Sequence, residues 1–421
     1  MNILYIEHYA GSDKYGMEFR PFYMAREWVK MGHSVTILAA DFSHLRKQNP
    51  VVTKDFETET DSGVDFVWLK TNKYRRNDLM RVKNIYCFIN KIKKHAKYIA
   101  ETYKPDVIIH SSTYPMDLYA ALAVKEYCGA PCFYEIHDLW PLSLTAMAPK
   151  LLSEKNPLIQ YVQKAEDDCY RLGDGVISIL PGANRHIQER GFMNVNYHNV
   201  PNGVILKDVP DPGPLPEQIT NLFNSWKEQG KCVVLYAGGH ARSNALEYFV
   251  NAGPLVGDDV QLVLVGNGEQ KEMLQNLAKG MTNVTFLDPV AKTKIPVLLE
   301  MADLLYLDAR SDKLFEYGIG KNKMFDYMLA SKPVIFGMNS AGNPLELSGC
   351  GLKILPEDTP SLVEGINTLR QKSPEELAEM GKKGHDYVVE YHEYSVLANQ
   401  FIEALKSAPK VEPKGESKGK K

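Results

Sequence analysis

Short apolar, β-branched runs alternate with helical stretches along nearly the whole chain, and the alternation occurs twice. In the first half the runs are residues 2–6, SVTILAA (34–40), VDFVWL (64–69), DVIIHSS (106–112), PCFYEIH (131–137) and GVISIL (175–180). They have strand length, and the segments between them carry apolar residues at helical spacing, as Phe22, Ala25, Trp28 and Val29 do before the turn at Met31-Gly32-His33. Strands separated by helices pair in parallel, and a parallel sheet is covered on both faces. The first half is therefore expected to be a doubly wound α/β domain. Regular spacing lapses in the Pro- and Gly-rich HNVPNGVILKDVPDPGPLPEQI (198–219), then resumes with CVVLYAGG (232–239), VQLVLVGNG (260–268), NVTFLDPV (283–290), ADLLYLDA (302–309) and PVIFGM (333–338). A second domain of the same kind follows. The expected division is a first domain over 1–205, a linker over 206–230, a second domain over 231–385, a closing helix over 386–407 and a disordered basic tail over 408–421. Two Rossmann-like domains facing each other across a cleft would place ligands at the carboxyl ends of their strands.

Composition narrows the function classes. A net charge of −3 gives no reason to expect nucleic-acid binding. The six cysteines are scattered without CxxC pairs, against both a disulfide framework and a zinc site. No window approaches the roughly 18 apolar residues of a membrane span, and MNILYIEHYAG lacks the features of a signal peptide, so a cytoplasmic location is expected.

The stretch FEYGIGKNKMFDYMLASKPVIF (315–336) reads as loop, helix, turn and buried strand. A glycine-containing loop that enters a helix start suits an anion, because unpaired N–H groups and the positive dipole end meet there. Lys323 and Asp326, about one turn apart, would take a phosphate and a sugar hydroxyl; a solvated helix face is the competing reading. Gly238, Gly239 and Arg242 follow a strand, where a guanidinium binds phosphate oxygens in pairs. An exposed helix-start arginine is the alternative. GNGEQKEM (266–273) has G-x-G without the third glycine of a dinucleotide fingerprint, so Gly268 is read as shaping a turn. His137 ends a strand, where a lone histidine is ordinarily structural; the alternative is a hydrogen bond donated to a sugar hydroxyl or stabilisation of charge. Gly16 and Glu18 lie in the loop after the first strand. Glu166-Asp167-Asp168 sits in a helical pattern and reads as a solvated face rather than a metal site. Ten Lys or Arg between Lys70 and Lys97, with Ile85, Phe88, Ile89, Ile92 and Ala96 at helical spacing, fit either a helix lying on an anionic membrane or a core-facing helix with a charged outer face.

Taken in order, REWVKMGHSVTILAAD, KPDVIIHSS, FYEIHDLWPLS, NVPNGV, LVLVGNGEQKEML, NVTFLDPVAKTKIPVLLEMADLLYL and NKMFDYMLASKPVI resemble the retaining GT-B glycosyltransferases of the family 4 type, close to bacterial enzymes of surface-polysaccharide assembly. The resemblance covers about residues 1 to 405. It implies a GT-B fold and transfer of a sugar from a UDP-linked donor to a saccharide or polyprenyl-linked glycan acceptor, with no cofactor and no metal. Asp326, seven residues before Pro333, falls at the family's second acidic position, which holds ribose hydroxyls. Gly318 stands where the first glutamate is expected, and Glu316 is its nearest replacement. His137 and Glu316 are thus the implied catalytic residues. Gly238, Gly239, Arg242, Gly268, Asn322, Lys323 and Asp326 are the implied donor-binding residues, and Gly16 and Glu18 form the implied phosphate or acceptor loop. Lipid-linked acceptors in the family fit a peripheral position on the inner face of the membrane through residues 70–97. A UDP-sugar 2-epimerase and a catalytically silent nucleotide-sugar-binding subunit are the alternatives on this architecture.

Overall fold

The computed structural model describes residues 1–75, 79–147, 153, 155–207 and 211–408. The chain divides into two compact units, residues 1–201 together with the chain from 397 onward, and residues 202–396.

In the first unit eight strands form one sheet: β1 (Asn2–Ile6), β2 (Ser34–Ala40), β3 (Glu57–Asp61), β4 (Val64–Leu69), β5 (Val107–His110), β6 (Cys132–Ile136), β7 (Gly175–Ser178) and β8 (Tyr197–Asn199). Their order is β3-β4-β2-β1-β5-β6-β7-β8, parallel except that β3 runs against β4. The six expected strands are present. β3 and β8 were not legible: ETETD carries no apolar face, which suits the edge it occupies, and β8 has only three residues. The helix Tyr394–Lys406 returns to this unit, where Trp28 is fully buried, its Nε1 donating to Ala398 O (3.2 Å) and its ring 4.9 Å from Phe401.

Here the structure chooses between the two readings of the basic segment and changes the expectation for the acidic trio. The apolar stripe Ile85, Phe88, Ile89, Ile92 and Ala96 is buried in the core of the unit, so it is not offered to lipid. Only the outer face remains basic, with Lys73, Arg75, Lys83, Lys93, Lys94 and Lys97 exposed and Lys91 bound to Asp55. Arg76 and Asp78 lie outside the described residues. No described helix is long and apolar enough to cross a membrane. The acidic trio, in the helix Pro157–Leu172, is not a solvated face either. Glu166 and Asp168 are buried; Glu166 accepts from Tyr170 (2.8 Å) and Gln163 (2.6 Å) and meets His186 Nε2 (2.9 Å), while Asp168 binds Lys164 (2.6 Å), Tyr119 (2.9 Å) and Arg171. Asp167 pairs with Arg190 (2.9 Å). Each carboxylate is committed to protein donors, and no described group of His, Cys, Asp and Glu is arranged to hold a metal.

In the second unit β9 (Cys232–Ala237), β10 (Val260–Val265), β11 (Val284–Leu287), β12 (Leu304–Asp308), β13 (Val334–Gly337) and β14 (Gly351–Lys353) form an all-parallel sheet in the order β11-β10-β9-β12-β13-β14. Successive residues of β9 alternate between two cores, with Val233, Leu235 and Ala237 on one face and Val234 and Tyr236 on the other. The segment read as linker contains the helix Glu217–Glu228, whose Phe223 and Trp226 are buried in this unit. The final helices run Pro374–Tyr391, started by a Ser373–Glu376 capping box, and Tyr394–Lys406, so the closing segment is two helices. Residues 409–421, the bulk of the expected tail, lie outside the described residues.

Both sheets reverse their strand order once, between β1 and β5 and between β9 and β12. In doubly wound sheets the space beyond the strand ends at such a reversal is where ligands bind.

Candidate functional site

At the β9–β12 reversal the backbone leaves β9 through Gly238 and Gly239. A Cβ on Gly238 would lie 2.6 Å from Lys323 Nζ, and one on Gly266, after β10, would lie 1.9 Å from Gly238 O. Only glycine allows these two loops to close on each other. A Cβ on Gly268 would meet the backbone of His240 at 2.5 Å, so this glycine shapes the same loop pair. Tyr236 OH and Asn244 Nδ2 both donate to Gly239 O, at 2.7 and 2.8 Å. Loop, strand and the turn Arg242–Asn244 thereby become one rigid piece.

Two ammonium groups converge on that piece. Lys323 Nζ lies 2.5 Å from Tyr236 OH and 3.5 Å from Asn244 Oδ1. Lys321 Nζ donates to Asn244 Oδ1 (2.8 Å) and to Asp308 O at the end of β12 (2.7 Å). Neither ammonium forms an ion pair with a described carboxylate. Burial pushes Lys321 down to about 7, with the nearby Lys323 adding to the shift, and burial pushes Lys323 down to about 8. Two ammonium groups that share one amide oxygen without an ion pair, with only the charge of Asp308 opposing the shift of Lys321, form a site that an anion would complete.

Asp326, one turn beyond Lys323 on the helix Asn322–Leu329, has its pKa raised by burial, which Lys292 opposes. No described residue hydrogen-bonds its carboxylate. Asn322 is exposed at the start of that helix, and Glu316 is exposed at the end of the short helix Lys313–Glu316. Gly318, at the first acidic position, is buried with φ 134°. Arg242 is exposed; its carbonyl accepts from Arg310 Nε (2.9 Å), and Arg310 is pinned by Glu247 (2.5 Å) and Glu357 (2.7 Å). The structure thus brings Gly238, Gly239 and Lys323 into contact, while Arg242 is fixed through its backbone and leaves its guanidinium to solvent.

At the β1–β5 reversal the chemistry is acidic and fully internal. Glu135 on β6 is inaccessible and accepts from Arg20 Nε (2.8 Å), Tyr5 OH and Ser111 Oγ. Burial alone would raise its pKa, but Arg20 and His137 hold it far below the carboxylate range. Arg20 also donates to the carbonyls of Pro201 (2.6 Å) and Val200 (2.8 Å). His137, the next outward residue from Glu135 on the same side, places Nε2 3.1 Å from Glu135 Oε2 and 2.9 Å from Ser111 Oγ, and its side chain keeps 12% of its exposure. Glu7, just past β1, is buried with Oε1 accepting from Tyr9 N (3.0 Å) and Oε2 without a partner among the described residues. Burial raises its pKa well above the usual value. In the following loop Gly16 has φ 92° and is buried, and a Cβ on Gly11 would lie 1.7 Å from Gly16 O. Glu18 is half-buried and anchors the loop by its backbone, accepting from Gly11 N (2.7 Å) and donating to Tyr9 O (3.2 Å).

Residues 15–208 match the model of Glycosyltransferase Family 4, and residues 231–372 match that of Glycosyl transferases group 1. Sucrose-phosphate synthase from Thermosynechococcus elongatus superposes over 96% of this chain and 98% of its own, with a TM-score of 0.69 at 16% identity. Anabaena HepE, solved with UDP-glucose, covers 96% and 99% (TM-score 0.65, 16% identity). WaaG, a glycosyltransferase involved in lipopolysaccharide biosynthesis, covers 96% and 100% (TM-score 0.63, 13% identity). The chain has the GT-B glycosyltransferase fold. No curated protein sequence matches significantly.

Within this GT-B chain, sequence reasoning missed Lys321, Tyr236, Glu135, Arg20 and Glu7 as parts of the two sites, while Asn244 stands near where the resemblance implies a phosphate-binding lysine. Lys321 had a visible signal, the K-x-K spacing across a helix start. Arg20 and Glu135 had none, because 115 residues separate a pair that only the sheet order brings together. Asn202, in NVPNGV, donates to Gly320 O (3.2 Å) and so braces the loop before Lys321.

Proposed function

We propose that the protein is a retaining glycosyltransferase that moves a sugar from a UDP-linked donor to a saccharide acceptor, a polyprenyl-linked glycan in polysaccharide assembly. The observation that carries this reading is the convergence of Lys321 and Lys323 on Asn244 Oδ1, without a carboxylate, at the strand-order reversal of the second unit. A diphosphate leaving group gains negative charge as the glycosidic bond breaks, and preplaced cations lower that barrier. Lys321 and Lys323 take this charge in our reading, Arg242 adds a mobile guanidinium, and Asp326 completes its missing hydrogen bonds with ribose hydroxyls. His137 meets a sugar hydroxyl, and the loop with Gly16 and Glu18 borders the same substrates. Two proteins sharing the fold support the class of reaction, HepE in complex with UDP-glucose and WaaG, a glycosyltransferase involved in lipopolysaccharide biosynthesis. The exposed basic face at Lys73, Arg75, Lys83, Lys93 and Lys94 would hold the enzyme beside an anionic membrane by charge alone.

A thermal-shift panel of nucleotide sugars tests the reading, since a ligand of the folded state raises Tm. We expect UDP-sugars to raise it and NAD to leave it unchanged. Product analysis with the stabilising donor then separates glycosyl transfer from epimerisation. An unchanged Tm with every nucleotide diphosphate would overturn the assignment.

A further inference from the structure

We infer that Glu135 is a positioning residue that fixes the ring of His137 as the Nε2–H tautomer, so that its free Nδ1 accepts a hydrogen bond from a substrate hydroxyl instead of donating one. The inference rests on the reading of His137 as a substrate-contacting residue.

Glu135 Oε1 is taken by Arg20 Nε at 2.8 Å, and Oε2 receives the hydroxyls of Tyr5 and Ser111. The Ser111 proton is spent on that bond, which leaves the Ser111 oxygen to His137 Nε2 as an acceptor at 2.9 Å. Glu135 Oε2, 3.1 Å from the same nitrogen, is an acceptor as well. A nitrogen lone pair facing two oxygen acceptors would be repelled, so the proton of the neutral ring belongs on Nε2. Nδ1 then carries the lone pair, and no described residue hydrogen-bonds it.

The arrangement is rigid. Arg20 and Glu135 have side-chain exposures of 3% and 0%, and Arg20 is locked by the carbonyls of Val200 and Pro201. A buried carboxylate that orients an imidazole also stabilises positive charge on it, so a hydroxyl hydrogen-bonded to Nδ1 gains electron density at its oxygen. This favours an acceptor or donor-sugar hydroxyl at that position and disfavours a carbonyl or phosphate oxygen, which has no proton to give.

Long-range nitrogen–proton NMR on the full chain labelled with ¹⁵N-histidine reads the tautomer without substrate, with the His137 signals assigned by their loss in His137→Gln. We expect the wild type to show Nε2 protonated and Nδ1 unprotonated above neutral pH, and Glu135→Gln to lose this preference. Glu135→Gln should lower kcat by roughly 10–100-fold with the donor KM within about twofold. Ser111→Ala, which keeps the Arg20–Glu135 pair, should retain the Nε2–H tautomer. A wild-type ring protonated on Nδ1 overturns the inference, and this measurement does not depend on Glu135→Gln folding. An Nε2–H ring together with full turnover by His137→Gln overturns the catalytic reading of His137 while the tautomer assignment stands.

Discussion

At the strand-order reversal of the first unit, the charge of Glu135 is matched inside the protein, by Arg20, Tyr5, Ser111 and His137. At the reversal of the second unit, Lys321 and Lys323 lie on neutral oxygens and form no ion pair with a described carboxylate, although the charge of Asp308 acts on Lys321. The same topology thus produces a closed polar network in one case and an open cationic site in the other. A closed network can orient a side chain at its edge but has nothing left to bind with. An open one costs stability until an anion arrives, which is what a binding site does.

The largest effect should come from opening the closed network. Arg20→Met leaves Glu135 buried without its cation and should cost about 3–5 kcal/mol, read as a lower urea midpoint; a loss under 1 kcal/mol would show that the pair is not what closes the first unit. Closing the open site should do the reverse. Lys321→Met with Lys323→Met should weaken UDP binding by about 3 kcal/mol in titration calorimetry while leaving Tm of the free protein unchanged or higher. A lower Tm with intact UDP affinity would make these lysines structural. Asp326→Ala should weaken UDP binding by about 1.5–3 kcal/mol, with Asp326→Glu restoring part of it; a nucleoside-independent result would remove the ribose role.

Individual groups at the two reversals should also contribute pH dependences of opposite sign. Lys321 and Lys323 have an ordinary value of 10.5 and folded values near 7 and 8, so between about pH 7 and 10.5 the unfolded chain holds more protons and stability rises with pH. Glu7 has an ordinary value of 4.5 and a higher folded one, so above 4.5 the folded chain holds more protons and stability falls as pH rises through that window. Unfolding curves across pH 5–10 should therefore lose the rising contribution in Lys321→Met and the falling one in Glu7→Gln. Identical pH profiles for these variants and the wild type would contradict both placements. The smallest effect lies on the outer surface, where Arg75, Lys93 and Lys94 replaced by Gln should each reduce sedimentation with anionic vesicles by up to about 1 kcal/mol at low salt. Equal partitioning of the parent protein to neutral and anionic vesicles would assign that face to solvent.

The periodicity of the chain made eleven of the fourteen strands among the described residues legible, because a strand buried on both faces must be an apolar run. The three that escaped are the charged edge β3 and the three-residue β8 and β14, where little or no apolar face exists to be read. Around the sites, Gly238, Lys323 and Asp326 stood out because a loop, a helix start and a strand follow one another within a short stretch of sequence. Lys321 was passed over beside them, and its partner Asn244 lies 77 residues away.

Order along the chain, then, determined that this protein would build two doubly wound sheets and that each would reverse somewhere, since alternation of strand and helix admits little else. Strand order in space was decided only by tertiary packing. It sets Tyr5, Arg20 and Ser111, far apart in sequence, around the buried carboxylate of Glu135, and it strips water from Lys321 and Lys323. Charge in a sequence has a sign but no dielectric. Burial supplies the dielectric, and with it the difference between a lysine on a surface and a lysine that waits for an anion.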